Sequence, residues 1–212
     1  MYLAVISRPD IAHIIAKLAQ FNSHAHQEHF GAAKHVLRYL KGCPKGMITF
    51  SPHQDLICFT DADWGSDGTN RKSYSGSVLL LAGGAVAWES KKQQVAALSL
   101  MEAEYIVMCQ GAKEIAFHRS LLHELGFGNL VSGPTTILCD NQGAQFLVTN
   151  PTTHKRSKHI DSRFHYVREQ YLKDDIALEY VPSSENAADI LTKPLTKEKH
   201  INCYKLLNMS FN

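Results

Sequence analysis

Apolar residues recur at three- and four-residue steps in DIAHIIAKLAQF (10–21) and again in HFGAAKHVLRYLKG (29–42), the spacing of amphipathic helices. Arg8-Pro9 opens the first and Gly42 with Pro44 closes the second, so the chain begins with two basic helices. The rhythm changes at Leu56. LICFTDAD (56–63) is an apolar run suited to a buried strand, and the polar, glycine-bearing loop WGSDGTNRKS (64–73) leads into a second strand, YSGSVLLLA (74–82). A turn at Gly83-Gly84 returns the chain as AVAWESKK (85–92), which predicts a three-stranded antiparallel meander.

Helical spacing resumes from about Ser99 to Leu125, ended by Gly126, before a short buried strand TTILCD (135–140) and a helix over Asn141 to Val148. Residues 154–173 read as a basic helix and IALEYVP (176–182) as a last strand. SSENAADILTKPL begins a helix stopped by Pro194. A meander followed by strands alternating with helices predicts an α/β fold with a mixed sheet and helices on its faces.

At 212 residues and 44% hydrophobic composition the chain is long and apolar enough to bury a core. Its net charge of +2 sets up no global field. The local balance is uneven: six basic against two acidic residues over 1–50, six against ten over 51–153, and ten against eight over 154–212. The five cysteines are scattered, without a C-x-x-C pair, which suits a reduced intracellular setting, cytoplasmic by default, rather than zinc or disulfides. The longest apolar run, VLLLAGGAVAW (78–88), is interrupted by Gly83-Gly84, so no membrane span is expected.

Candidate chemistry lies in carboxylates that follow apolar runs. FTDAD and ILCDN each place an aspartate directly after residues expected to be buried, where an unpaired charge is costly unless it meets a metal or hydrogen-bond donors. Asp140 closes a strand, the place where open α/β sheets gather their chemistry. Asp61 and Asp63, two apart on a strand, share a face, and periodicity does not choose between them. Glu102 and Glu104 point about 200° apart on a helix, so only one can join a cluster. Oxygen ligands without a Cys or His set suit Mg²⁺ or Mn²⁺ rather than zinc.

The motifs FTDADWGSD, NRKSYSGSV, AVAWESKKQ, MEAEY, ILCDNQGA, HKRSKHIDSRFHYVRE and EYVPSSENAADILTKPL, in this order, resemble the ribonuclease H region of copia-type (Pseudoviridae-like) retrotransposon polyproteins. SRPDIAHIIAKLAQF and HFGAAKHVLRYLKG resemble the end of the reverse transcriptase that precedes it. The resemblance implies a ribonuclease H-like mixed five-stranded sheet, an antiparallel meander followed by parallel strands. It divides the chain into reverse transcriptase remnant helices, thumb- or connection-like, at 1–50, a ribonuclease H domain at 51–195, and a helical tail at 196–212.

The resemblance also implies cleavage of the RNA strand of RNA–DNA hybrids with two Mg²⁺ (or Mn²⁺) ions. Asp61, Glu102, Asp140 and Asp189 stand as catalytic and metal-holding residues, with Glu104 turned away and Asp63 at most supporting. An upstream reverse transcriptase in a longer polyprotein is the expected partner, inside a virus-like particle. Two departures from the family pattern stand out: Leu100-Met101 replaces a small hydroxyl pair, and K-S-Y-S-G replaces K-S-T-S-G. Where cellular relatives carry a loop histidine, this chain has PSSEN (182–186), leaving Glu185 as a substitute.

Residues 154–173 hold six Lys or Arg against Asp161 and Glu169, a charge of +4 suited to phosphates. Lys155, Arg156 and Lys158 are the candidate contacts there. Lys72 and Ser73, Lys91, Lys92 and Gln93, and Asn141 and Gln142 are further candidates for phosphate or ribose contact beside the acids. His154, His159 and His165 lack the one-face spacing of a zinc site. A catalytically decayed or repurposed nucleic-acid-binding module of the same fold is the alternative, and an integrase or transposase would lack the E-A-E-Y and HIDSRFHYVRE stretches. No Y-x-D-D occurs, so the chain itself does not polymerise.

Overall fold

Helical periodicity at the start of the chain is realised. A short helix α1 (Tyr2–Ile6) precedes α2 (Ala12–Ala19) and α3 (Gln27–Gly42) in the computed structural model, which describes residues 1–52, 55–66, 71–150 and 161–211. A short strand β1 (Gly46–Ile48) follows, then β2 (Ile57–Asp63), β3 (Tyr74–Leu81) and β4 (Gly84–Lys92). The long helix α4 (Leu100–Glu124) leads to β5 (Thr135–Cys139) and α5 (Gln142–Thr149), and α6 (Asp161–Leu172) leads to β6 (Ile176–Tyr180). A 3₁₀ turn at Ala187–Leu191, α7 (Lys197–Leu206) and β7 (Met209–Phe211) complete the order.

The main sheet is five-stranded with the order β4-β3-β2-β5-β6. Its meander is antiparallel, and β2, β5 and β6 run parallel, the mixed sheet expected. The hairpin turn lies one residue earlier than expected. Leu81 pairs with Gly84, leaving Ala82 and Gly83 as the loop with φ of 53° and 74°, the type I′ geometry whose twist matches paired strands.

Apolar residues alternate between two covers. Cys58 and Leu79 face the cluster built with α4, α5 and α6, while Phe59, Val78 and Leu80 face the cluster built with the 187–191 turn and α7. Successive side chains leave a strand on opposite faces, so this pattern buries both. On the first face α4 crosses β2 closely, because a Cβ at Gly111 would lie 3.0 Å from Thr60 Cγ2 and 3.1 Å from Cys58 Sγ. On the second, a Cβ at Gly76 would lie 2.6 Å from Thr192 Cγ2 and 2.8 Å from Leu191 Cβ, so the 187–191 turn rests directly on β3.

Two features differ from the sequence reading. The helix expected from SSENAADILTKPL is a 3₁₀ turn, with Asn186 Oδ1 capping Ala188 N at 3.0 Å, and the α-helix begins only after Thr196. β1 and β7 form a separate two-stranded antiparallel sheet, pairing Gly46 with Phe211 and Ile48 with Met209. Strands this short carry too little periodicity to be read. The opening helices lie outside the main sheet and dock on the rest: α2 packs on β4, and Trp88 Nε1 donates to Ala4 O at 2.7 Å.

Gly76→Ala should lower stability by about 1–3 kcal/mol through overpacking, while Gly31→Ala, on the exposed side of α3 with open space around it, should raise it by about 0.5–1 kcal/mol. Urea midpoints of the two variants check this. A Gly76→Ala chain as stable as wild type would contradict the close seating of the turn.

Candidate active site

Asp61 sits in the middle of the central strand, opposite Gly76, and is 1% exposed. Charge buried this deeply requires partners. Lys193 Nζ lies 3.0 Å from Asp61 Oδ1, and Thr192 Oγ1 donates to Asp61 Oδ2. Burial pushes the Asp61 carboxyl up; Lys193 opposes the shift, Asp189 adds to it, and the result is about 6.

Glu104 reaches the same place from the first turns of α4. Its Oε1 accepts from Ala62 N at 3.2 Å, and its Oε2 is buried without a hydrogen-bond partner among the described residues. Asp140 follows the last residue of β5, and Ser183 Oγ donates to its Oδ2. One oxygen each from Asp61, Glu104 and Asp140 lies within 4.8 Å of the others. Burial first, then the charges of Asp61 and Asp140, push the Glu104 carboxyl up to about 9.

This reverses the expectation at α4. Glu102, expected at the cluster, is engaged in starting the helix: its N–H donates to the N-cap Ser99 Oγ at 3.1 Å and its Oε2 accepts from Leu98 N at 2.8 Å. Serine followed three residues later by glutamate is the capping-box pattern, legible in S-L-M-E, and it commits Glu102 to the cap. Glu104, on the opposite side of the helix, turns to the sheet. Asp63 is only half-buried, at the end of β2.

Asp189 is fully buried near Asp61, in ion pairs rather than in the triad of oxygens. Its Oδ1 is 2.8 Å from Lys193 Nζ, and Lys199 Nζ contacts its Oδ2. Asn186 Nδ2 donates to Thr60 O at 2.9 Å, which pins the 3₁₀ turn to β2 next to Asp61. Burial tends to discharge Lys193, but the two aspartates prevail and hold its ammonium above the usual lysine range. Lys193, four residues after Asp189, was not singled out by its sequence position, although the spacing D-x-x-x-K places both groups on one side of a turn.

The candidate substrate contacts divide. Gln142 is exposed beside Asp140, and Asn141 caps α5 through Ala144 N at 2.9 Å. Lys91 is exposed and lies 3.4 Å from Glu89, Lys92 Nζ is 3.4 Å from Gln20 Oε1, and Lys72 is half-buried. Ser73 and Gln93 are inside. Ser73 Oγ accepts from Gly65 N at 3.2 Å, and Gln93 Nε2 donates to Ser75 Oγ at 2.9 Å and Ala103 O at 3.0 Å, locking β3 to the start of α4. Both side chains are thus engaged inside the fold. Lys155, Arg156 and Lys158 fall outside the described residues.

Three carboxylates each bring an oxygen to one place, and Glu104 keeps a buried Oε2 with no hydrogen-bond partner among the described residues, a donor set that suits a hard divalent cation. The residues fit such an ion. Among the described residues no helix is long and apolar enough to cross a membrane.

No family model matches the chain. Over 213 aligned residues, 100% of this chain, it is 38% identical to the retrovirus-related Pol polyprotein from transposon TNT 1-94 of Nicotiana tabacum, and it spans 16% of that relative. Over 198 residues, 92% of this chain, it is 37% identical to the retrovirus-related Pol polyprotein from transposon RE1 of Arabidopsis thaliana, spanning 13% of it. Among solved structures, LC11-RNase H1, isolated from compost, aligns with a TM-score of 0.50 over 66% of this chain and 94% of its own, at 15% identity, a likeness of fold. Over its length the chain is therefore homologous to part of the retrovirus-related Pol polyproteins of plant retrotransposons, and its fold is ribonuclease H-like.

Proposed function

We propose that this chain hydrolyses the RNA strand of RNA–DNA hybrids with divalent metal ions, Mg²⁺ or Mn²⁺, alongside a reverse transcriptase in a longer polyprotein inside the cell. The observation that carries the reading is the convergence of Asp61, Glu104 and Asp140, with a buried Glu104 Oε2 that has no hydrogen-bond partner among the described residues. Asp61, Glu104 and Asp140 would hold an ion, and Asp189, joined to Asp61 through Lys193, would serve a second. Bound ions supply an activated water and stabilise the leaving oxygen. The chain's own residues prepare for this. Ala62 N and Ser183 Oγ orient the carboxylates of Glu104 and Asp140, and Asn186 fixes the turn that carries Asp189. Gln142 is placed to meet the strand beside Asp140, and Lys72, Lys91 and Lys92 to meet phosphates farther out.

Hybrid cleavage in Mg²⁺, beside single-stranded and duplex controls, tests the reading. Glu104→Gln should reduce turnover on the order of 10²–10³-fold, the scale of losing one preorganised electrostatic group. Glu102→Gln should keep both turnover and most of the stability, because a glutamine Oε1 can still accept from Leu98 N. The opposite ranking would return Glu102 to the site, and hybrid left intact by wild type would favour the decayed module.

Metal-free stability should depend on pH in a defined direction. Glu104 keeps a proton in the folded state up to about 9 that the unfolded chain releases near 4.5, so in chelator the protein should lose stability as pH rises between those values. Asp61, raised from 3.8 to about 6, adds to the fall at the acid end. Mg²⁺ should restore more stability at pH 8 than at pH 6, because the ion binds the ionised carboxylate. Thermal midpoints of wild type and Glu104→Gln check this: the variant should be flat above pH 6, and a slope equal to wild type would place the titration elsewhere.

A further inference from the structure

Charges around Asp61 are segregated. On the side of Glu104 and Asp140 a buried carboxylate oxygen has no partner among the described residues. On the side of Asp189, lysines occupy the acids: Lys193 Nζ bridges Asp61 Oδ1 at 3.0 Å and Asp189 Oδ1 at 2.8 Å, and Lys199 Nζ contacts Asp189 Oδ2. Four carboxylates carry −4 when ionised, and these two ammonium groups return +2. The remainder, −2, is balanced by one divalent cation.

Resting on the metal reading above, we propose that the Lys193 ammonium is a built-in cation holding the position between Asp61 and Asp189. The resting site then takes one divalent ion on the Asp61–Glu104–Asp140 side, and it admits a second beside Asp189 only when Lys193 swings out. An ammonium and a divalent ion cannot share the gap between the same two oxygens, and their repulsion at such distances is strong away from water. Lys193 is built to move. It stands just past the 3₁₀ turn with its N–H held by Asp189 O at 3.1 Å, and its side chain is 30% exposed. A groove of about 700 Å³ between the opening helices and α7 has Lys193 on its wall, giving the displaced side chain somewhere to go. Lysine suits the role because its charge sits on a flexible four-carbon stem.

Mn²⁺ titration of the full chain, stripped of metal and followed by the electron paramagnetic resonance of the free ion, tests this. Wild type should bind one ion tightly, and Lys193→Met should strengthen a second by about tenfold or more, since a competing unit charge is removed. Lys193→Arg should behave as wild type. Equal second-ion affinity in wild type and Lys193→Met overturns the proposal, as does wild type taking two ions equally well. Glu104→Gln separates the two readings: it should abolish the tight ion, and if it does not, the metal reading fails and takes this inference with it. Should Lys193→Met fail to fold, wild type alone decides through acetylation of Lys193 read by mass spectrometry. Labelling should stay low through the first equivalent of Mn²⁺ and rise with the second, and labelling indifferent to Mn²⁺ overturns the proposal.

Discussion

A carboxylate buried in the middle of a sheet is the constraint from which the rest of this structure follows. Asp61 lies on the central strand, flanked by β3 and β5, and solvent does not reach it. Each neighbour is chosen accordingly. Gly76, beside it on β3, leaves room for the 187–191 turn, which delivers Thr192 and Lys193 to its two oxygens. Asn186 bonds the carbonyl of Thr60, one residue before it, and Ala62 N, one residue after it, holds Glu104. Backbone groups and side chains within one residue of Asp61 thus fix both the turn and the long helix.

The four acids are therefore unequal. Asp189 is ion-paired with two lysines and belongs to the packed turn, whereas Glu104 is pressed against Asp61 and Asp140 with an oxygen that has no hydrogen-bond partner among the described residues. Like charges held together cost stability until a cation arrives. Burial first, and then the charges of Asp61 and Asp140, raise the Glu104 carboxyl to about 9, so an ion arriving there displaces a proton and supplies the counter-charge that the fold withholds.

Much of the layering was legible because two-residue alternation and apolar runs survive in β2, β3 and β5 whatever surrounds them. Aspartates after FT and ILC were conspicuous for the same reason: charge ending a buried run demands an explanation. What was lost depended on competition between local roles. On periodicity alone Glu102 and Glu104 are equivalent candidates, and the deciding fact is that Glu102 closes the start of its own helix, its N–H donating to Ser99 Oγ and its Oε2 accepting from Leu98 N. Ser73 and Gln93 looked like polar ends of strands, yet each satisfies a neighbour inside the fold, and polarity alone does not separate a buried brace from a surface contact. The β1–β7 ladder joins residues far apart in sequence and is too short to leave a pattern in either segment.

That ladder also explains how the backbone carrying the site's lysines is held. Lys193 and Lys199 lie between the sheet and the C-terminal strand, on a stretch whose only regular element is α7. β7 ties its far end to β1, and the opening helices brace its side: Asp10, held by a bidentate pair with buried Arg8 at 2.8 and 2.7 Å and by Tyr39 at 2.6 Å, presents its carbonyl to His200 of α7 at 3.3 Å. A buried ion pair with all its partners in place adds orientation more than stability. Here the orientation passes from Asp10 through His200 along α7 to Lys199, one residue earlier, and so to Asp189. The opening segment thus supports the acids from outside the sheet: it contributes no oxygen to them, but it sets where their counter-charges stand.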